Sequence, residues 1–189
     1  MNQVQVSGKV IFLSGGAGGL GRALADLLLT RGGSVWLGDV SQAAVEEVLE
    51  PLRGKHSQAR LGGTELDVRS ASSWEAAWQK CVDSLGQPDI LVNIAGVKGE
   101  EDWQTVYDVN LKGVHHGVET GLSKMSREAG GRGGVIVNVS STCGVTCHGD
   151  MFATPAYTAS KHAVTALTRT FGVRLVVTRE QLRSRRSVT

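Results

Sequence analysis

VIFLSGGAGGLGRALADLLLT, residues 10–30, is the stretch that decides the fold. Val10 to Leu13 is a short run of β-branched and apolar residues that reads as a first strand. From Leu20 onward the apolar positions Leu20, Leu24, Leu27 and Leu28 recur at helical spacing, and Gly32 follows as a C-terminal stop. Between the two lies a glycine turn, Ser14 to Gly21. In such an arrangement the backbone N–H groups at the helix start can hold a pyrophosphate against the positive end of the helix dipole. Side chains would block that approach. Two registers fit the turn: G-x-G-x-x-G on Gly16, Gly18 and Gly21, or G-x-x-x-G-x-G on Gly15, Gly19 and Gly21.

The same alternation continues along the chain. Ser34 to Leu37 reads as a second strand, and Ser41 as the N-cap of a helix through Val45, Val48 and Leu49 that closes near Pro51 and Gly54. A third strand falls near Leu61 to Leu66. Ser72 and Glu75 form a capping-box pair heading a helix with Trp74, Ala77, Trp78, Cys81 and Val82, which finishes at Gly86 and Pro88. Ile90 to Val92 is a buried strand. Asp102 to about Glu128 reads as one long helix carrying Val106, Val109, Val114, Val118, Leu122 and Met125 toward the sheet or a partner subunit. Val135 to Val139 is the fifth strand, followed by a turn-rich loop through Pro155 and a helix from about Tyr157 to Thr170. Short strands alternating with long helices predict an α/β fold of βαβ units: a doubly wound, mostly parallel sheet between two helix layers, three-layer αβα.

At 189 residues the chain suits one domain. A hydrophobic content of 41% with 20% charged residues excludes disorder and fibres, and no apolar run is long enough to span a bilayer. The opening MNQVQVSGKVIFL has no basic segment before its apolar stretch, so no export signal is expected. Cys81, Cys143 and Cys147 read as free thiols in a reducing, cytoplasmic compartment. Cys143, Cys147 and His148 lack the second ligand pair that a metal site needs. The net charge of +2 owes much to the arginines at the end of the chain, which read as a solvated tail and not as a nucleic-acid face.

Asp39 falls just past the second strand, where a dinucleotide fold places the carboxylate that accepts hydrogen bonds from the adenosine ribose hydroxyls. A 2′-phosphate would be repelled there, and the neighbouring Val40 offers no cation, so the pattern points to NAD. Three further segments stand at strand ends and on the last helix: Asn93-Ile94-Ala95-Gly96, Ser140-Ser141, and Tyr157-Thr158-Ala159-Ser160-Lys161. Taken singly they are ordinary turns or a surface i,i+4 pair. In this order, over roughly residues 6 to 170, the chain resembles the short-chain dehydrogenase/reductase family. The stretches LDVRS, DILVNIAGV, Trp103 to Asn110 and GGVIVNVSS are most similar to an NAD-dependent member that acts on a hydroxylated lipid. Ser14 stands where the family usually has Thr, Ile94 where it has a second Asn, and Thr154 where that member has a Gln facing substrate.

The resemblance implies a Rossmann-type fold and selects the register Gly15, Gly19 and Gly21. It implies a cofactor site of Gly15, Gly16, Gly19, Leu20, Gly21, Asp39, Val40, Asp67, Val68, Asn93, Tyr157 and Lys161. The implied activity is interconversion of a secondary alcohol and a ketone, with small-molecule substrates and in many relatives a homodimer through the two helices starting near Asp102 and Tyr157. Tyr157 would be the base. A free tyrosine ionises near about pH 10, and an ammonium one helical turn away favours the phenolate. The resemblance further implies that Lys161 holds the nicotinamide ribose, that Ser141 and not Ser140 hydrogen-bonds the substrate oxygen, and that Asn110 positions a water passing the proton onward.

Relatives continue past this helix into a lid and further strands that this sequence does not carry. Gly172-Val173-Arg174-Leu175 is similar to the family's next strand, but follows Phe171 directly. The expectation is therefore a domain over residues 1–175 lacking the last strands, with an unpaired sheet edge, and a disordered basic tail over residues 176–189. Two functions follow: a working NAD-dependent oxidoreductase, or a shortened form that binds nucleotide weakly or acts only through protein contacts.

Overall fold

The computed structural model describes residues 5–99, 102–146 and 154–176. Five strands, β1 (Val10–Ser14), β2 (Ser34–Asp39), β3 (Leu61–Glu65), β4 (Ile90–Asn93) and β5 (Val135–Asn138), form one sheet in the order β3-β2-β1-β4-β5. Every pairing is parallel. The helices are α1 (Gly19–Thr30), α2 (Gln42–Lys55), α3 (Ala71–Leu85), α4 (Trp103–Tyr107), α5 (Gly113–Met125) and α6 (Pro155–Val176). This is the three-layer, doubly wound Rossmann-type arrangement expected. Strand order reverses between β1 and β4, which opens a crevice above their C-terminal ends. There Ser14 lies level with Gly38 and Asn93, and Asn93 with Asn138.

The two-residue period of β1 sends Ile11 and Leu13 to one face and Phe12 to the other. On the first face they pack with Val35 and Leu37 under Ala25, Leu28 and Leu29 of α1 and Val45, Val48 and Leu49 of α2. On the second, Phe12 lies between Trp74 and Trp78 of α3, with both ring centres at 5.8 Å. Trp74 donates its indole N–H to the Val68 carbonyl at 3.1 Å, which ties α3 to the segment after β3. Cys81 is fully buried in the same layer, and burial pushes its thiol up to about 12.

Several expectations are corrected. Pro51 does not close α2 but lies inside it, four residues before its end, where the Glu47 carbonyl goes without the N–H of an ordinary helix residue. Helix α3 starts earlier than the Ser72 pair suggested: Ser70 is the N-cap, its Oγ accepting from Ser73 N at 3.3 Å, while Glu75 pairs with Lys124 at 2.6 Å. The long helix stops at Met125, where Ser126 turns extended, and it is interrupted by a π-turn over Asp108–Lys112. Gly172 to Leu175 form no strand; α6 runs through them to Val176, since this segment hydrogen-bonds within itself and has no proline to stop it. Leu20 and Leu27 are exposed, not core. Strand β5 is an edge among the described residues, and Val135 and Val137 are each 43% exposed. Cys147, His148 and residues 177–189 of the tail lie outside the described residues. No described helix is long and apolar enough to cross a membrane.

Candidate active site

A cleft of about 830 Å³ occupies the crevice. The glycine turn forms its floor. Gly15 has φ +75, and a Cβ there would come within 2.6 Å of the Ala95 backbone, so the turn can lie against the β4 exit only with glycine. A Cβ on Gly21 would overlap the Gly15 carbonyl and come within 2.8 Å of the Gly16 Cα. A Cβ on Gly19 would meet no protein atom within 4 Å, although Gly19 lines the cleft. Two of these glycines serve the fold of the turn; the third borders open space at the cleft. The first-turn N–H groups of α1 have no intrahelical acceptors and no side-chain cap at Gly18, which makes this end an anion cradle.

Asp39 closes the floor from the β2 end. Its Oδ2 accepts from Ala17 N at 2.9 Å and its Oδ1 from Val40 N at 2.8 Å, fixing the carboxylate against the turn. Gly15, Gly19, Leu20, Gly21, Asp39, Val40, Asp67, Val68, Tyr157 and Lys161 all line this one cleft. Thus the turn after the first strand and the phenol of the last helix open onto a single space.

Lys161 is 3% exposed, yet its Nζ reaches the cleft, donating to the Val139 carbonyl at 3.1 Å and standing 5.6 Å from the centre of the Tyr157 ring. Burial lowers its pKa from the ordinary lysine value. The first two turns of α6 are braced from two sides. Ser160 Oγ donates to the Tyr157 carbonyl at 2.7 Å, and Ser140 Oγ donates to the Lys161 carbonyl at 2.9 Å. A Cβ on Gly144 would overlap Ser140 Oγ, so that turn packs closely against the helix.

Four expected residues stand off the cleft. Gly16 is buried against Leu37 and supports the turn from below. Asn93 is 1% exposed; its Nδ2 donates to Asn138 Oδ1 at 2.8 Å and its Oδ1 faces Gly117 of α5, so its side chain joins β4, β5 and α5 instead of reaching a ribose. Ser141 caps the turn over Thr142–Gly144, accepting from Cys143 N at 3.2 Å, while Ser140 lines the cleft. Asn110 is fully buried on the π-turn. Its Oδ1 accepts from Val97 N at 2.8 Å, and its Nδ2 donates to the Val97 carbonyl at 2.9 Å and to Ser160 Oγ at 3.1 Å. Its side chain thereby clamps the cleft-lining segment after β4 onto α6 and has no N–H left for a water. The π-turn turns that amide inward, a common use of such turns at functional sites.

Sequence reading missed Arg69. It lines the cleft, and its Nε and Nη2 bond both oxygens of Asp67 at 2.9, 3.2 and 2.8 Å. The Arg69 guanidinium holds the Asp67 carboxyl below its usual range. Only the adjacency in LDVRS hinted at the pair. Among the described residues no group of His, Cys, Asp and Glu could hold a metal ion.

Fold and cleft define a three-layer αβα protein with a crevice above the switch point of its sheet, and the family follows from comparison. A profile described as short chain dehydrogenase matches residues 9–179, and the chain belongs to this family. Among curated relatives, 15-hydroxyprostaglandin dehydrogenase [NAD(+)] of Macaca fascicularis is 37% identical over 166 residues, covering 88% of this chain and 61% of that protein. The 3-oxoacyl-[acyl-carrier-protein] reductase FabG of Thermotoga maritima is 32% identical, covering 91% and 70%. A short-chain dehydrogenase/reductase of Burkholderia phymatum solved with NAD superposes with a TM-score of 0.79 at 30% identity, covering 89% of this chain and 60% of that one. NAD+-bound xylitol dehydrogenase gives 0.81 at 28% identity, covering 91% and 66%. The chain thus spans about three fifths of the length of the prostaglandin dehydrogenase it matches.

Proposed function

We propose that this chain binds NAD in the cleft and acts as an oxidoreductase interconverting a secondary alcohol and a ketone. The observation that carries the reading is the convergence of Gly19, Asp39, Tyr157 and Lys161 on one cleft. The residues present fit the cofactor. Open space over Gly19 suits a pyrophosphate on the α1 amides, and the fixed Asp39 carboxylate suits two ribose hydroxyls and opposes a 2′-phosphate. NAD, when bound, supplies the hydride acceptor. Its name in three of the matched relatives and structures supports the same choice.

Within this reading Tyr157 takes the substrate hydroxyl proton at its phenolic oxygen, with Lys161 Nζ 5.6 Å from the centre of its ring. We assign the contact with the substrate oxygen to Ser141, as the family resemblance implies, although Ser140 and not Ser141 lines the cleft. Ser140 already donates to the Lys161 carbonyl, whereas Ser141 Oγ makes only an accepting bond among the described residues. Asn110 acts as a positioning residue through Val97 and Ser160. The substrate class we favour is a hydroxylated lipid, from the likeness to the prostaglandin enzyme. Homodimer contact through α5 and α6 belongs to the same reading.

A second reading, nucleotide binding without turnover, is favoured by the uncovered valines of β5. Titration with NAD followed by assay of NADH formation over a panel of secondary alcohols, hydroxylated fatty acids included, separates the two. Turnover that disappears in Tyr157→Phe supports the first; saturable binding without turnover supports the second.

A further inference from the structure

We propose that the free cleft captures uncharged aldehydes as an imine on Lys161, and that a bound dinucleotide guards this amine; the guard alone rests on the cofactor reading above. Of the chain's lysines only Lys161 is buried, at 3% exposure, while Lys9, Lys55, Lys80, Lys98 and Lys112 are all exposed. Its stem lies inside the fold and its Nζ stands at the cleft. That Nζ donates to the Val139 carbonyl at 3.1 Å, and a Cβ on Gly96, which is exposed and lines the cleft, would come 3.4 Å from it. Glycine at position 96 therefore leaves the amine approachable from the cleft side.

The surroundings do little to hold a charge there. An ammonium carries three donors. The Val139 carbonyl takes one, and among the described residues no second acceptor and no carboxylate meets Nζ. The centre of the Tyr157 ring, 5.6 Å away, lies near the far limit of a cation–ring contact. Burial lowers the pKa of the group, so at neutral pH more of Lys161 is free amine than of an exposed lysine. A desolvated amine beside open space is the setting in which lysines act as nucleophiles toward carbonyls. Val97, Val109 and Val139 line the same cleft, and such a lining suits an uncharged aliphatic aldehyde better than an ionised one. In the capture step Nζ adds its electron pair to the carbonyl carbon. The carbonyl oxygen then takes up both amine protons and leaves as water, so C=N replaces C=O with no change of oxidation state and no further reactant. Lys161 is also the residue implied to hold the nicotinamide ribose, so imine and dinucleotide exclude each other.

The test uses the whole unsubstituted chain at neutral pH, with propanal as the probe and sodium cyanoborohydride to fix the imine as a propylamine, followed over time by peptide mass mapping. Lys80 and Lys112, exposed and off the cleft lining, serve as internal standards. Lys161 is expected to be propylated at least about threefold faster than either, as a desolvated amine should be. In urea the three rates converge. NAD at about ten times its titrated Kd slows Lys161 by about tenfold and leaves Lys80 and Lys112 unchanged. Propylation of Lys161 no faster than of the two standards, or a preference that survives in urea, overturns the capture site and leaves the cofactor reading standing. NAD that binds by titration yet leaves the Lys161 rate unchanged overturns the guard. NAD that does not bind at all brings down the cofactor reading and the guard with it, while the rates without NAD still decide the capture site.

Discussion

Replacing Gly19 and Gly21 by alanine, one at a time, separates the glycine that serves the ligand from the one that serves the fold. At Gly21 the added methyl overlaps the Gly15 carbonyl oxygen and crowds Gly16, both backbone atoms that cannot swing aside. Overpacking of this kind costs about 1–3 kcal/mol, and for a domain of this size each kcal/mol lowers the melting temperature by about 2–4 °C. Gly21→Ala is therefore expected to lose about 2–12 °C. At Gly19 the methyl meets no protein atom, and its φ is not in the left-handed region, so stability holds or rises by a few tenths of a kcal/mol. Its methyl instead enters the space over the α1 amides. Loss of one charge-assisted hydrogen bond is worth about 1.5–3 kcal/mol, so NADH affinity drops by about ten- to a hundredfold. Thermal melts and NADH titrations on both variants decide the matter. Equal melting losses in the two, or undiminished NADH binding by Gly19→Ala, would refute the division of labour.

Asp39→Ala is expected to weaken NADH more than NADPH, since it removes both the ribose acceptor and the repulsion of a 2′-phosphate; equal weakening in paired titrations contradicts this. Burial lowers the Lys161 pKa in the fold, so the unfolded chain binds more protons between that lowered value and 10.5. Relative to Lys161→Met, the unsubstituted chain should therefore gain stability as pH rises through this window and lose it as pH falls; melts at pH 7 and pH 9.5 read the slope. Cys81, fully buried with its thiol raised to about 12, should resist a thiol reagent at pH 8 while Cys143 reacts, and protection of Cys81 should end only on unfolding.

The sequence carried the architecture because strand and helix periods, and the glycine turn between Leu13 and Leu20, are local signals. Asp39 was legible from its place at a strand end and Tyr157 and Lys161 from the family resemblance, and the fold sets all three on the cleft. What it did not carry depends on neighbours distant in the chain. Asn93 and Asn110 are the right residue types for a polar site, but their amides bond Asn138, Val97 and Ser160, and only the fold brings those within reach. Ser70 displaced Ser72 as N-cap because the turn after β3 ends two residues earlier than the capping-box pattern suggested. The Arg69 to Asp67 pair was invisible because an i,i+2 spacing predicts no contact in a helix and a variable one in a turn.

The most direct test of the central claim is a crystal structure of the chain with NAD. One dinucleotide is expected across the crevice, its pyrophosphate on the amides of Gly19 to Gly21, its adenosine ribose on Asp39 and its nicotinamide beside the Tyr157 hydroxyl. Density for NAD elsewhere, or a nicotinamide separated from Tyr157 with its pyrophosphate away from the glycine turn, would contradict it.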